Sequence, residues 1–161
     1  MTTATDTGQV RAWRPPFQLD LPSALGPLRR GRFDPAFRRD ADGTHWLAAN
    51  TPPGHGTLML RRAADGEVRA SAWGPAADWL LDRLPALLGA DDEDAGFVAH
   101  HPIVATTRRR LPLLRLGATG RVWDVLVGAI LEQKVTGTEA HRSWRDLAMR
   151  FGHEDATPAG S

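Results

Sequence analysis

Short alternating runs of apolar and polar residues fill the chain as far as residue 90, and apolar residues recur at helical spacing beyond residue 97. The stretch AWRPPFQLDL is expected to be extended, because Pro15 and Pro16 forbid a helix there. SALGPLRRGRF reads as a short helix or irregular connection, broken at Gly26-Pro27. THWLAANT, TLMLRRA and EVRASAW read as strands, separated by Pro52-Pro53-Gly54 and by Asp65-Gly66. Asp-Gly between alternating runs predicts a hairpin, because both turn positions tolerate positive φ. GPAADWLLDRLPALLG predicts a helix with Pro75 near its first turn and Gly89 past its end. Leu80, Leu84, Leu87 and Leu88 share one face of it, and Pro85 should bend or split it.

The pattern beyond the run ADDEDAG is helical. HHPIVATTRRRLPLLRLG predicts a short helix ending at Leu111-Pro112. RVWDVLVGAILEQ is apolar on nearly every side, which predicts a helix buried inside a bundle. TGTEAHRSWRDLAMRFG opens with Thr136 and Glu139 at capping-box spacing, lines up Ala140, Trp144, Leu147, Ala148 and Phe151, and stops at Gly152. The last two helices have broad apolar faces that need covering, and HEDATPAGS supplies nothing periodic to do it. The helical part is therefore expected to be incomplete.

These readings predict an α+β protein. A small α/β domain with antiparallel strands and one or two helices is expected over 1–90, with an acidic linker over 91–97. The first helices of a truncated all-α domain follow over 98–152, and a disordered tail over 153–161.

Composition narrows the chemistry. The chain has no cysteine, which excludes disulfides, thiolate metal sites and thiol nucleophiles. Its first residues have neither a basic segment nor an apolar core, and no apolar run is long enough to cross a membrane, so a cytoplasmic location is expected. Net charge is −2 over residues 1–96 and +3 over 97–161, which points the C-terminal half towards polyanions. Asp91, Asp92, Glu93 and Asp94 lack the alternation of a cation loop and read as a solvated connector. His100 and His101 are adjacent, so on a helix their rings diverge and do not share an ion. No phosphate-binding glycine loop and no serine nucleophile elbow occurs. Trp79, Trp123 and Trp144 sit at helical spacing among aliphatic residues and read as core.

Two features remain. Arg108, Arg109 and Arg110 are the densest basic run, suited either to phosphate contact or to a solvated helix surface. Gln133 and Lys134 end an apolar helix at a tight turn, where a cation favours the helix C-terminus and an amide can both donate and accept.

The stretch VWDVLVGAILEQKVTGTEAHRSWRDLAMRFG resembles the opening helices of the helix-hairpin-helix DNA glycosylases, in particular the 3-methyladenine DNA glycosylase II branch. Trp123-Asp124, Ala129-Ile130-Leu131, Gln133 and Val135-Thr136 carry the likeness, which extends more weakly back to about Trp13. The resemblance implies a base-excision-repair enzyme that flips an alkylated purine from duplex DNA and hydrolyses its N-glycosidic bond without metal or redox cofactor. It implies that Gln133 and Lys134 lie at the DNA; Thr136 of the matching Val135-Thr136 and, on the phosphate reading of the basic run, Arg108, Arg109 and Arg110 complete the expected DNA-binding set. Lys134 stands where the family often has an apolar residue, which suggests phosphate or base-edge contact in place of a simple wedge. The family's glycine-rich hairpin and catalytic aspartate have no counterpart in the sequence, so no catalytic residue is assigned and the chain alone is expected to be inactive. A second polypeptide that supplies the missing half would complete it. The alternative is a non-enzymatic DNA- or partner-binding protein on the same scaffold.

Overall fold

Strand alternation and one sheet account for the first half of the protein, seen here in a computed structural model that describes residues 8–153. The strands β1 (Gln9–Trp13), β2 (Phe37–Arg39), β3 (His45–Thr51), β4 (Gly54–Arg62) and β5 (Val68–Trp73) form one antiparallel sheet in the order β1-β5-β4-β3-β2. Register puts Leu47 opposite Leu58 and Leu58 opposite Ala72, with Leu60 opposite Ala70, so one face of the sheet is continuously apolar. The helices α1 (Leu21–Leu25), α2 (Ala77–Asp82) and α3 (Leu84–Leu87) close over it, burying Leu21, Leu25, Leu80, Leu84 and Leu88. Fully burying one such leucine contributes about 1.5–3 kcal/mol, so this is where the protein's stability concentrates.

Local chemistry explains the boundaries. Asp20 starts α1 by accepting the Ser23 N–H at 3.1 Å, with Pro22 in the first turn. Pro85 does split the predicted helix, and the break falls at Arg83, between α2 and α3. Proline has no N–H to offer the Leu81 carbonyl four residues back; the Arg11 guanidinium of β1 donates to that carbonyl at 2.8 Å. In the β4–β5 turn only Gly66 takes positive φ, 87°. Asp65 keeps negative φ and accepts the Glu67 N–H at 3.1 Å, and the predicted hairpin forms.

Three differences from the sequence reading have physical causes. The first strand lies ahead of the two prolines, where backbone N–H groups are free to pair with β5. The three-residue edge strand β2 was not anticipated, because so short a stretch has no alternation to detect. The acidic connector is not simply solvated: Asp94 pairs with Arg108 and lies 3.9 Å from Arg115, and the Asp92 carboxylate accepts the Leu116 N–H at 2.9 Å.

The second half holds α4 (Pro102–Arg110), α5 (Val122–Leu131) and α6 (Gly137–Phe151). Helix α5 is not buried as its sequence predicts. Only Gly128 in it is buried, while Val122 is 78% and Trp123 72% exposed, which also removes Trp123 from the expected core. Trp79 and Trp144 are half-buried. Leu126, Ile130, Leu147, Met149 and Phe151 extend the exposed apolar surface across both helices. Residues 154–161 of the expected tail lie outside the described residues. Among the described residues no helix is long and apolar enough to cross a membrane.

His45 generates a stability prediction. It is 2% exposed on the covered face of the sheet, edge-on to Phe37 at 6.0 Å, and its Nδ1 has no partner. Burial, helped by the charge of Arg39, holds its pKa below the ordinary 6.5. Above that value the imidazole is neutral in both states. As pH falls below it, the unfolded chain takes up a proton that the folded protein resists, so stability is lost on acidification. The melting temperature should fall between about pH 7 and 5, and His45→Leu should flatten that part of the profile. Unchanged slopes in the two proteins would contradict this account.

Candidate nucleic-acid interface

The connection between α5 and α6 is built to be tight. Helix α5 closes with the Glu132 N–H on the Gly128 carbonyl and the Gln133 N–H on the Ile130 carbonyl, both at 3.1 Å. Lys134 then adopts φ of 59°, the one non-glycine residue with positive φ among the described residues. That left-handed conformation reverses the chain after a helix and normally falls to glycine, because a side chain there costs roughly 1 kcal/mol. Two residues later Thr136 starts α6 with a complete capping box: its N–H donates to Glu139 Oε2 at 2.9 Å, and its Oγ1 accepts the Glu139 N–H at 3.4 Å. The Thr136 hydroxyl also donates to Glu139 Oε2 at 2.7 Å, and these bonds hold the Glu139 pKa below its ordinary value.

This geometry leaves Gln133 and Lys134 exposed side by side at the apex, next to a Val135 that is 49% exposed. Among the described residues neither side chain is held by a hydrogen bond or ion pair. The carboxylate of Glu139, the nearest acidic residue on the α6 side, is tied into the box. An amide and an ammonium on a short, closed turn can reach base edges or phosphate oxygens without first breaking protein contacts. Thr136, by contrast, spends its hydroxyl inside the turn and acts on the site through its shape.

The arginine run is placed elsewhere. It forms the last turn of α4, where Arg108 is bound to Asp94 and to the Leu114 carbonyl at 3.3 Å. Arg109 donates to Thr106 Oγ1 at 3.1 Å, and Arg110 is exposed. No ion pair or hydrogen bond among the described residues joins these arginines to the α5–α6 turn. Two of the three remain accessible for phosphate, and Arg108 is committed to the protein. His101 caps α4 by accepting the Ile103 N–H at 3.2 Å, and no group of three metal-ligating side chains gathers among the described residues.

Behind the turn the two helices meet the sheet across a cleft of about 810 Å³, lined by Phe37, Leu47, Ala49, Arg121, Trp144 and Phe151 among others. Arg121 forms an ion pair with Asp124 at 2.8 Å; burial draws the pKa of Arg121 below its ordinary value and Asp124 opposes that effect. Arg30 and Asp34, which bridge the cleft to α5 and α6, were not anticipated. Their partners are about a hundred residues away, and nothing local in Arg-Gly-Arg-Phe-Asp announces them.

Two substitutions test the turn. Thr136→Ala should lose about 1 kcal/mol by removing the cap. Lys134→Gly should gain up to about 1 kcal/mol, because glycine adopts the left-handed region freely. Chemical denaturation of both variants checks this; destabilisation by Lys134→Gly would mean that the lysine is not strained.

No protein-family model matches the chain, and a search of curated proteins found no match.

Proposed function

We propose that this protein supplies the DNA-probing turn of a base-excision-repair glycosylase acting on alkylated purines in double-stranded DNA. The observation that carries the reading is the exposed Gln133-Lys134 pair on a turn closed by a capping box and a left-handed lysine. Extruding a base from a duplex requires a few kcal/mol of unstacking, less at a damaged site. A side chain offered to the vacated position helps most when the backbone that carries it is already fixed, since only side-chain entropy then remains to be lost on binding. Lys134 adds a cation that suits phosphate or the electronegative base edges of the minor groove. Arg109 and Arg110 contribute further phosphate contacts. The likeness of residues 122–152 to the 3-methyladenine DNA glycosylase II branch supports the same assignment, as does the basic excess of this half.

Within this reading the chain performs recognition and not bond cleavage. The reactive aspartate and the glycine-rich hairpin belong to further polypeptide, which packs on the bare faces of α5 and α6. A patch containing Val122, Trp123, Leu126 and Ile130 in water is the kind of surface that a partner covers. That patch favours one second reading, a partner- or DNA-binding protein without enzymatic activity. No cofactor enters either scheme. The proposed setting is the cytoplasm, at the nucleoid when bound to DNA.

Fluorescence anisotropy with labelled duplexes distinguishes these outcomes. The protein should bind a duplex with a stable abasic-site analogue more tightly than an intact one, and Gln133→Ala with Lys134→Ala should abolish that preference. Equal affinity for the two duplexes overturns the proposal. Incubation with alkylated duplex should yield no abasic sites above background, and excision by this chain alone would contradict the assigned division of labour. Substituting Leu126 and Ile130 by lysine should reduce binding of an apolar fluorescent dye while leaving DNA affinity in place.

A further inference from the structure

A single loop of the sheet portion grips both helices behind the turn. Asp34 is 8% exposed, and its carboxylate accepts three hydrogen bonds. Arg30 N donates at 2.7 Å and Ala36 N at 3.0 Å, both from the same loop; Trp144 Nε1 donates at 3.0 Å from α6. The Arg30 guanidinium lies 4.3 Å from the centre of the Trp144 ring and donates to the Asp124 carbonyl of α5 at 3.1 Å. Gly31, at φ of 81°, lets the loop pass against His141 of α6, where a Cβ would stand 2.8 Å from the imidazole. Gly128 of α5 provides the matching gap, since a Cβ there would meet the Arg30 guanidinium. Two close approaches, one bridging carboxylate and one bridging guanidinium therefore tie α5 and α6 together to one loop of the sheet portion.

We propose that Arg30, Asp34 and Trp144 are positioning residues that fix the direction in which the α5–α6 hairpin presents its turn. This inference rests on the function proposed for Gln133 and Lys134, but the mechanical part stands apart from it. Elsewhere between helices and sheet His55 of β4 stacks on His153, just past α6, at 4.7 Å, and the space between these contacts is an open cleft, which resists rotation of the hairpin poorly. Hydrogen bonds have direction where apolar packing has little, so the Asp34–Trp144 bond and the Arg30–Asp124 bond set the angle of both helices. The Arg30–Trp144 stacking adds an attraction that survives only while the ring keeps its orientation. With the loop engaged, Gln133 and Lys134 are held at one position relative to the sheet. Released, the hairpin samples many, and the fraction competent for DNA falls in proportion.

The absence of cysteine makes the test direct. Cysteines introduced at Ala64 and Thr138, both exposed, carry spin labels whose separation reports the hairpin against the sheet. The otherwise unaltered protein should give one narrow distance distribution. Trp144→Phe keeps an aromatic ring and removes one donor, and should broaden the distribution; Asp34→Ala should broaden it further. Circular dichroism of each variant checks that it remains folded. Distributions as narrow as the parent's in both variants would overturn the positioning role, even if DNA affinity changed. In the anisotropy assay, broadening in Trp144→Phe should accompany a loss of affinity for the abasic duplex of about tenfold, the effect of leaving one molecule in ten competent. Broadening with unchanged affinity would overturn the link to DNA. A parent protein without preference for the abasic duplex would defeat the proposed function, while the distance distributions would still decide the mechanics.

Discussion

A buried carboxylate organises the junction on which the second half depends. Asp34 sits at the rim of the sheet with its oxygens filled by N–H groups from its own loop and from Trp144, 110 residues further along. An ionised group in that position is tolerable only because each donor compensates part of the lost hydration. Removing any donor leaves charge unsatisfied in a partly dry environment, so the loop, α5 and α6 are mutually constrained. The sheet with α1 to α3 has its own apolar core and does not need this bond. The α5–α6 hairpin, which buries only Gly128 and Ala140, does.

That contrast orders the energetics. Leucines from strands and helices exclude water in the first half and provide the bulk of folding free energy. In the second half polar and aromatic contacts take over: an arginine stacked on a tryptophan, an ion pair in the first turn of α5, Arg108 and Arg115 gathered by the Asp94 carboxylate, and Arg115 donating to the Asp92 carbonyl. Such interactions orient more than they stabilise. An apolar helix held mainly by its neighbours' polar groups leaves its hydrophobic side chains to water. It is on this exposed apolar surface that we propose further polypeptide packs.

The sequence pattern made much of this legible and missed the rest for identifiable reasons. The α+β class, the strands β3 to β5 and the division at Pro85 follow from alternation and from proline's missing N–H, both local effects. The capping box was legible because Thr136 and Glu139 satisfy each other within one turn. The exposure of α5 was not, since an all-apolar helix states what it needs to bury and not whether a partner is present. The bridge from Asp34 to Trp144 was hidden because no spacing rule connects such distant residues. At the candidate site, the identities of Gln133 and Lys134 were readable and the strained lysine backbone was not. Lysine has no special preference for the left-handed region, so nothing in its identity announces a φ of 59°.

In the proposed function Lys134, carried on a closed turn, brings a cation to the DNA backbone or groove. Binding to a duplex containing an abasic-site analogue, measured across a range of salt concentrations, addresses this most directly, because each phosphate neutralised releases counterions. The logarithmic salt dependence of affinity should be shallower for Lys134→Ala than for the parent protein by about one unit. Identical slopes for the two proteins would show that Lys134 points away from the bound DNA and would contradict the account.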